Sequence, residues 1–190
     1  MADFLYEVGT LRKIPRIHSQ ALFVEDASDN IATHSYRTAL IGYVLAKKEG
    51  VDPNKVTTMC LLHDLDETRS NDHNWIHKRY VKVFGEEILN EQLGTLPFED
   101  FEEVVKEYEK RESKESIVAK DADILDQLLL LREYEMQGNK EAERWLYGSD
   151  KKEMLQIKKL KLDSSKRLGE AIYAQAPSNW WDGLYTNENR

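Results

Sequence analysis

The stretch THSYRTALIGYVLAKKEG (residues 33–50), followed at once by VDPNKVTTMCLLHDLDE (residues 51–67), sets the fold class. Thr33 has the side-chain oxygen to cap a helix running from His34 through Lys48, and Gly50 falls where a left-handed residue would close it. His34, Thr38, Ile41 and Leu45, flanked by Leu40 and Val44, repeat at helical spacing and define an inward stripe that begins with a histidine. Asp52-Pro53 then restarts a helix, with Asp as N-cap and Pro at the first turn, where its missing N–H costs nothing. Val56, Cys60, His63 and Glu67 continue at spacings of three and four, so His63 and Glu67 are expected to look into one site with Asp64 offset by one residue.

The rest of the chain reads the same way. Arg69 to Asn74 is polar and reads as a loop, and a short helix is expected from Trp75 to Phe84, ended or interrupted by Gly85. Pro97 opens an acidic helix to about Arg111, Ser113 caps a long one to Gln137 closed by Gly138, and a further helix is expected from Lys151 to Tyr173. No stretch alternates as a strand would, and no repeat is visible. The expected fold is an all-α multi-helix bundle: a single domain over 1–190, with a core at about 11–146 and a C-terminal helical extension at about 147–190.

At 190 residues the chain is long enough to bury a core without disulfides. A formal charge of −8 argues against coating extended nucleic acid, which needs a basic face, yet leaves room for a single small anion gripped by a few of Arg16, Arg37, Lys78, Arg79 and Lys120. The one cysteine, Cys60, lies in an apolar run and reads as a buried, inert thiol. No apolar run approaches the ~20 residues that span a bilayer, and the N-terminus lacks a basic leader, so the expectation is a cytoplasmic protein without membrane contact.

The chemistry concentrates in three separated segments: His34, the His63-Asp64 doublet, and the Asp121-Ala122-Asp123 stretch. Two imidazoles with two carboxylates suit a divalent metal, because neutral nitrogens bind it while the carboxylates offset its charge. Such a group would be costly to bury without a cation. Glu67, one turn beyond His63, is placed to orient or deprotonate water at such a site, and Asp72 lies on the loop after it. For the fourth ligand, periodicity favours Asp121, which shares a side with Ile117, Ile124, Leu125 and Leu128, whereas Asp123 points nearly opposite. The helix is apolar over so wide an arc that both sides are open to burial. His73 and His77 are four apart, but Asn74 stands where a zincin has its glutamate, so they read as rim residues.

Thr33-His34-Ser35-Tyr36-Arg37, Leu62-His63-Asp64-Leu65-Asp66-Glu67 and Lys120-Asp121-Ala122-Asp123-Ile124-Leu125-Asp126 together resemble the HD-domain superfamily of metal-dependent phosphohydrolases. Leu11-Arg12-Lys13-Ile14-Pro15-Arg16 is similar to the early segment of the branch containing the 5'-deoxynucleotidases. The resemblance runs from Leu11 to about Leu146, and loosely to Trp180-Trp181. It implies an all-helical fold and one divalent metal held by His34, His63, Asp64 and Asp123, the last in preference to Asp121. It implies that Glu67 serves the water, that Asp72 lies near the nucleotide, and that Arg16 contacts phosphate. Two departures stand out: His18-Ser19 where the branch has Gly-Trp, the Trp near the sugar, and Ser70-Asn71-Asp72 where it has Thr-Gly-Asp.

The function so read is hydrolysis of a nucleoside or deoxynucleoside 5'-monophosphate, assisted by Mn, Co, Fe, Ni or Zn. Arg16, Ser19 and Lys78 are the expected substrate contacts, and Ser19 in place of Trp is expected to relax any preference for deoxyribose. Alternatives are a nucleotide triphosphohydrolase, another phosphoesterase, or a nucleotide-binding module that keeps the metal. The resemblance also implies a homodimer, with the apolar helix at 117–134 as a candidate contact surface.

Overall fold

Asn30, not Thr33, opens the helix that carries His34. In the computed structural model, which describes residues 1–94, 96–97, 99–150 and 152–184, this helix is α3 (Ile31–Glu49), and the Asn30 side chain accepts from the Thr33 N–H while Thr33 Oγ1 accepts from the Asn30 N–H. Thr33 is therefore the third-residue partner of a reciprocal capping box. Gly50 closes the helix at φ 70° as expected. Before α3 come α1 (Ala2–Val8), a 3-10 turn at Gly9–Lys13 and the one-turn α2 (Ser19–Leu22).

Asp52 caps α4 (Pro53–Leu62) through the N–H groups of Asn54 and Lys55. That helix stops short of the doublet. His63 is its C-cap, and a tight turn leads into α5 (Glu67–Ser70), so Glu67 does not share a continuous helix with His63 as its spacing implied. The stretch expected to be helical from Trp75 to Phe84 forms only α6 (Trp75–Lys78), and Gly85 begins α7 (Gly85–Leu93) instead of ending a helix. Next come α8 (Glu99–Lys110) and α9 (Lys114–Met136), the latter capped by Ser113 and followed by Gly138 at φ 88°.

The C-terminal third departs most from its reading. A helix missed in the sequence, α10 (Lys140–Tyr147), is capped by Asn139, and the described residues between Lys152 and Leu162 hold only a 3-10 turn before α11 (Asp163–Ala174). Among the described residues there is no strand beyond one isolated bridge between Pro15 and Asn30, and no helix is long and apolar enough to cross a membrane.

Helix α9 runs through the centre. It packs against α3, α4, α8, α10 and α11, and Val118, Ala119, Ala122, Leu125, Leu128, Leu130 and Leu131 are all buried. Its wide apolar arc is largely consumed by the chain itself, which corrects its reading as a free contact surface; α3 exposes the apolar side chains Tyr36, Leu40, Tyr43 and Val44. Helices α3 and α4 approach closely at Gly42, where a Cβ would stand 2.7 Å from Cys60 Sγ. This close approach brings the first turn of α3 to the end of α4, and so His34 to His63.

Candidate metal centre

His34 and His63 point their Nε2 atoms at each other, 3.1 Å apart. Each ring is fixed from behind. His34 Nδ1 donates to Asp126 Oδ2 at 2.6 Å, and His63 Nδ1 donates to the Cys60 carbonyl at 2.8 Å. With both Nδ1 atoms used as donors, each ring in its neutral form carries its lone pair on Nε2, and the two Nε2 atoms face one another. Two carboxylates join them: Asp64 Oδ2 lies 3.5 Å from His34 Nε2 and 3.1 Å from His63 Nε2, and Asp123 Oδ1 lies 3.3 Å from His34 Nε2.

Lone-pair donors converging at this spacing repel unless a positive charge, a proton or a metal ion, sits among them. Metal–ligand bonds of about 2.1 Å give polyhedron edges of about 3.0 Å (octahedral) to 3.4 Å (tetrahedral), and the four nearest donor pairs, His34–His63, His34–Asp64, His34–Asp123 and His63–Asp64, stand 3.1 to 3.5 Å apart. His34, His63 and Asp123 also satisfy the mutual spacing of a metal-ligand group. The residues present therefore fit a divalent ion, with Asp126 behind His34 as the orienting carboxylate such sites use.

The electrostatics agree. Although burial and Arg16 oppose it, the carboxylates of Asp123 and Asp126 raise His34 to about 9, so a proton occupies the place a cation would take. Burial lowers His63 and keeps it neutral. Burial would raise the Asp123 carboxyl, but its hydrogen bond from His34 and the Lys120 charge hold it well below the usual carboxylate range. Glu67 goes the other way: burial, then Asp64, Asp72 and Asp66, push it up to about 10, and its Oε2 is buried without a hydrogen-bond partner. A cation among the donors opposes all three neighbouring charges.

Arg16 is buried with its Nη1 lacking any hydrogen bond, 3.6 Å from Asp126 Oδ2. Its backbone is pinned on both sides, since the Arg16 N–H donates to the Asp29 carbonyl at 3.0 Å and the Ile17 N–H donates to Asp72 Oδ2 at 2.7 Å. The cluster sits where two clefts meet. A small polar pocket of about 280 Å³ holds His63, Asp64 and Glu67, a larger cleft holds Arg16, His18 and Asp72, and Asp123, His73, Lys78 and Lys120 line both. Trp75 and Trp145, edge to face with centroids 5.0 Å apart, form an aromatic wall of the larger cleft.

The resemblance and the periodicity disagreed over α9, and the structure separates their candidates. Asp121 accepts from the Lys161 and Leu162 N–H groups at 2.9 to 3.2 Å and anchors the segment leading into α11, while Asp123 faces His34. Ser19 is not among the residues lining these clefts, whereas its neighbour His18 is. Two contributors were missed in the sequence. Asp126 could have been found as the one charged residue between Ile124 and Leu131, three residues past Asp123; Trp145 had no signal, because α10 itself was missed.

A model of the HD domain matches residues 8–162, most of the chain. The chain belongs to the HD domain family. The HD-domain chain is 31% identical over 122 residues to the 5'-deoxynucleotidase HDDC2 of Dictyostelium discoideum, a match covering 57% of this chain and 64% of that protein's length. Its fold is similar to that of a protein from Pyrococcus horikoshii (TM-score 0.73, 28% identity, covering 92% of this chain and 97% of the other). A Magnetospirillum magnetotacticum protein described as a predicted metal-dependent phosphohydrolase shares the fold at 23% identity, with a TM-score of 0.65 over 95% of this chain and 92% of that one.

Proposed function

We propose that this HD-domain protein is a metal-dependent phosphohydrolase acting on nucleoside or deoxynucleoside 5'-monophosphates, with His34, His63, Asp64 and Asp123 as the ligands of one divalent ion, Mn, Co, Fe, Ni or Zn. The carrying observation is the convergence of His34, His63, Asp64 and Asp123, whose nearest neighbours stand 3.1 to 3.5 Å apart, beside two buried atoms without a hydrogen bond, Glu67 Oε2 and Arg16 Nη1. The name of the Dictyostelium relative supports the substrate class.

When bound, the ion supplies a Lewis acid for the phosphoryl group and lowers the pKa of water. The protein's own residues do the rest. Arg16 Nη1, which makes no hydrogen bond in the protein and only a 3.6 Å ion pair with Asp126, has hydrogen-bonding capacity for a phosphoryl oxygen and can stabilise charge as it develops. Glu67 holds an unsatisfied oxygen in the small pocket, where it takes the proton of the attacking water. Asp72, through the Ile17 N–H, fixes the segment that presents Arg16. Lys78 and Lys120 at the junction of the clefts add positive charge for the phosphate, and the Trp75–Trp145 wall offers an apolar face to a base.

A second reading rests on room: the larger cleft, about 1120 Å³ and lined also by Arg144 and Lys159, is spacious enough for a longer phosphate chain, as a triphosphohydrolase requires. The test is a panel of nucleoside mono-, di- and triphosphates and simple phosphoesters, each with Mn, Co, Ni, Zn and Mg. Metal-dependent release of inorganic phosphate from monophosphates is expected. Release of triphosphate would favour the second reading, and nucleotide binding without turnover would mark a binding module.

A further inference from the structure

The proposed chemistry leaves one requirement unmet, because an alkoxide leaving from phosphorus needs a proton. Of the cationic side chains around the larger cleft, Arg16 does not give up its proton, and Lys120 is paired to Asp123. Asp72 accepts the Ile17 N–H through Oδ2 and is engaged as an acceptor. His73, Lys78 and Lys159 also line this cleft, but His18 is set apart from them by a buried carboxylate partner that nothing above uses. His18 and Asp29 form a buried pair, Nε2 to Oδ2 at 3.0 Å, with side chains only 8% and 7% exposed. Burying a carboxylate against an imidazole is costly unless the pair is hydrogen-bonded, and the arrangement fixes the orientation of the ring.

His18 stands at the N-cap position of α2 without making a side-chain cap, so Nδ1 is not spent on the helix. It lines the same cleft as Arg16, Asp72 and Asp123. The backbone between Arg16 and His18 is locked by Asp29 on one side and Asp72 on the other, so the ring and the guanidinium are presented by one rigid segment. Asp29 serves both, its carbonyl accepting from Arg16 and its carboxylate from His18.

Building on the phosphohydrolase reading, we infer that His18 is the general acid that protonates the leaving oxygen and that Asp29 is its positioning residue. The water oxygen forms the new bond to phosphorus as the phosphorus–ester oxygen bond breaks and its electron pair stays on the ester oxygen. That oxygen takes the Nδ1 proton of doubly protonated His18 while Glu67 takes the proton of the water. The products are the alcohol and phosphate, with His18 neutral and Glu67 protonated, and both return to their starting states by exchange with solvent. A carboxylate-oriented imidazole acting as an acid needs one nitrogen on the carboxylate and the other free for the substrate, and here Nε2 is on Asp29 in a ring that lines the cleft.

The experiment compares wild type, His18→Gln and Asp29→Asn on AMP, dAMP and p-nitrophenyl phosphate, with metal content and thermal melting measured on the same samples. Nitrophenolate leaves without a proton, so His18→Gln is expected to lower kcat on AMP and dAMP by ~10² to 10⁴-fold while changing kcat on the aryl ester by less than about threefold. KM and metal content should hold. Asp29→Asn, which keeps the imidazole, should give the same leaving-group pattern with a smaller loss, and it carries the test if His18→Gln does not fold. Equal losses on all three esters, a loss confined to KM, or a loss on AMP but not dAMP, which would mark a sugar hydroxyl contact, overturns the inference while leaving the phosphohydrolase reading in place. A wild-type protein that hydrolyses none of the three with any metal overturns both.

Discussion

Gly42→Ala tests whether the α3–α4 contact sets the metal site. A Cβ at residue 42 would lie 2.7 Å from Cys60 Sγ, 3.1 Å from Val56 Cγ1 and 3.7 Å from Ala122 Cβ, whereas comfortable carbon contacts begin near ~3.5 Å. Both near atoms belong to α4, so relief requires that helix to move away from α3 by several tenths of an ångström. Overpacking of this kind costs about 1–3 kcal/mol. The intrinsic helix gain of Gly→Ala returns up to about 1 kcal/mol, leaving a net loss near 1 kcal/mol, or roughly 2–4 °C in Tm for a chain of this size. The functional effect should exceed the stability effect. The Cys60 carbonyl holds His63 Nδ1, so moving Cys60 carries His63 away from His34. A loss of about tenfold in metal affinity is expected, within the range seen when support behind a ligand is disturbed. Isothermal titration of the metal and thermal melting measure the two quantities. Adding Cys60→Ala removes the clashing sulfur, so the double variant should recover both, with a coupling above about 1 kcal/mol. Strictly additive costs with unchanged metal affinity would refute the reasoning.

Asp123→Ala should abolish stoichiometric metal by elemental analysis with modest change in Tm, whereas Asp121→Ala should retain metal but melt several degrees lower, because it strands the Lys161 and Leu162 N–H groups. Glu67→Gln should keep the metal and lose ~10² to 10⁴-fold in kcat, read by phosphate release from a metal-loaded sample; full turnover would remove Glu67 from the chemistry. Glu7 joins α1 to α5 and α7 through Arg69, Gln92 and Thr68, and the Arg69 hydrogen bond, outweighing partial burial, holds its carboxyl below the usual 4.5. A depressed carboxyl stabilises above its unfolded pKa and loses that contribution as pH falls through the folded value. Glu7→Gln should therefore lower Tm at pH 7, by an amount that screening of this partly exposed pair keeps under about 1 kcal/mol, and the gap to wild type should close below pH 4.

The helical class was legible from the 3.6-residue spacing around His34 and from the signals at Asp52-Pro53, Ser113, Gly50 and Gly138, because capping and left-handed turns are local properties of a few residues. The local reading failed where the local signal was ambiguous. Thr33 and Asn30 are both good caps, and only the reciprocal bond between them decides which residue is outside the helix. Gly85 reads equally as a stop or a start. The helix α10 is short and was missed, and the lysine-rich pattern from Lys151 to Tyr173 suggested one long helix where the described residues hold a 3-10 turn at Ile157–Lys159 and then α11.

The site divides along the same line. The sequence by itself determined which donors are available: two histidines, a doublet carboxylate and an aspartate pair on a long helix, all residue types with lone pairs for a hard-to-borderline ion. Only the tertiary structure decided which of Asp121 and Asp123 faces the histidines, since α9 is buried on both sides and hydrophobic periodicity cannot rank two covered faces. It also decided that Glu67 reaches the site by a turn after α4 and not along it, that Asp126 stands behind His34, and that His18 is fixed by Asp29. Each of these is a contact between segments distant in the chain or across a break in helix, where spacing along the sequence carries no information about direction in space.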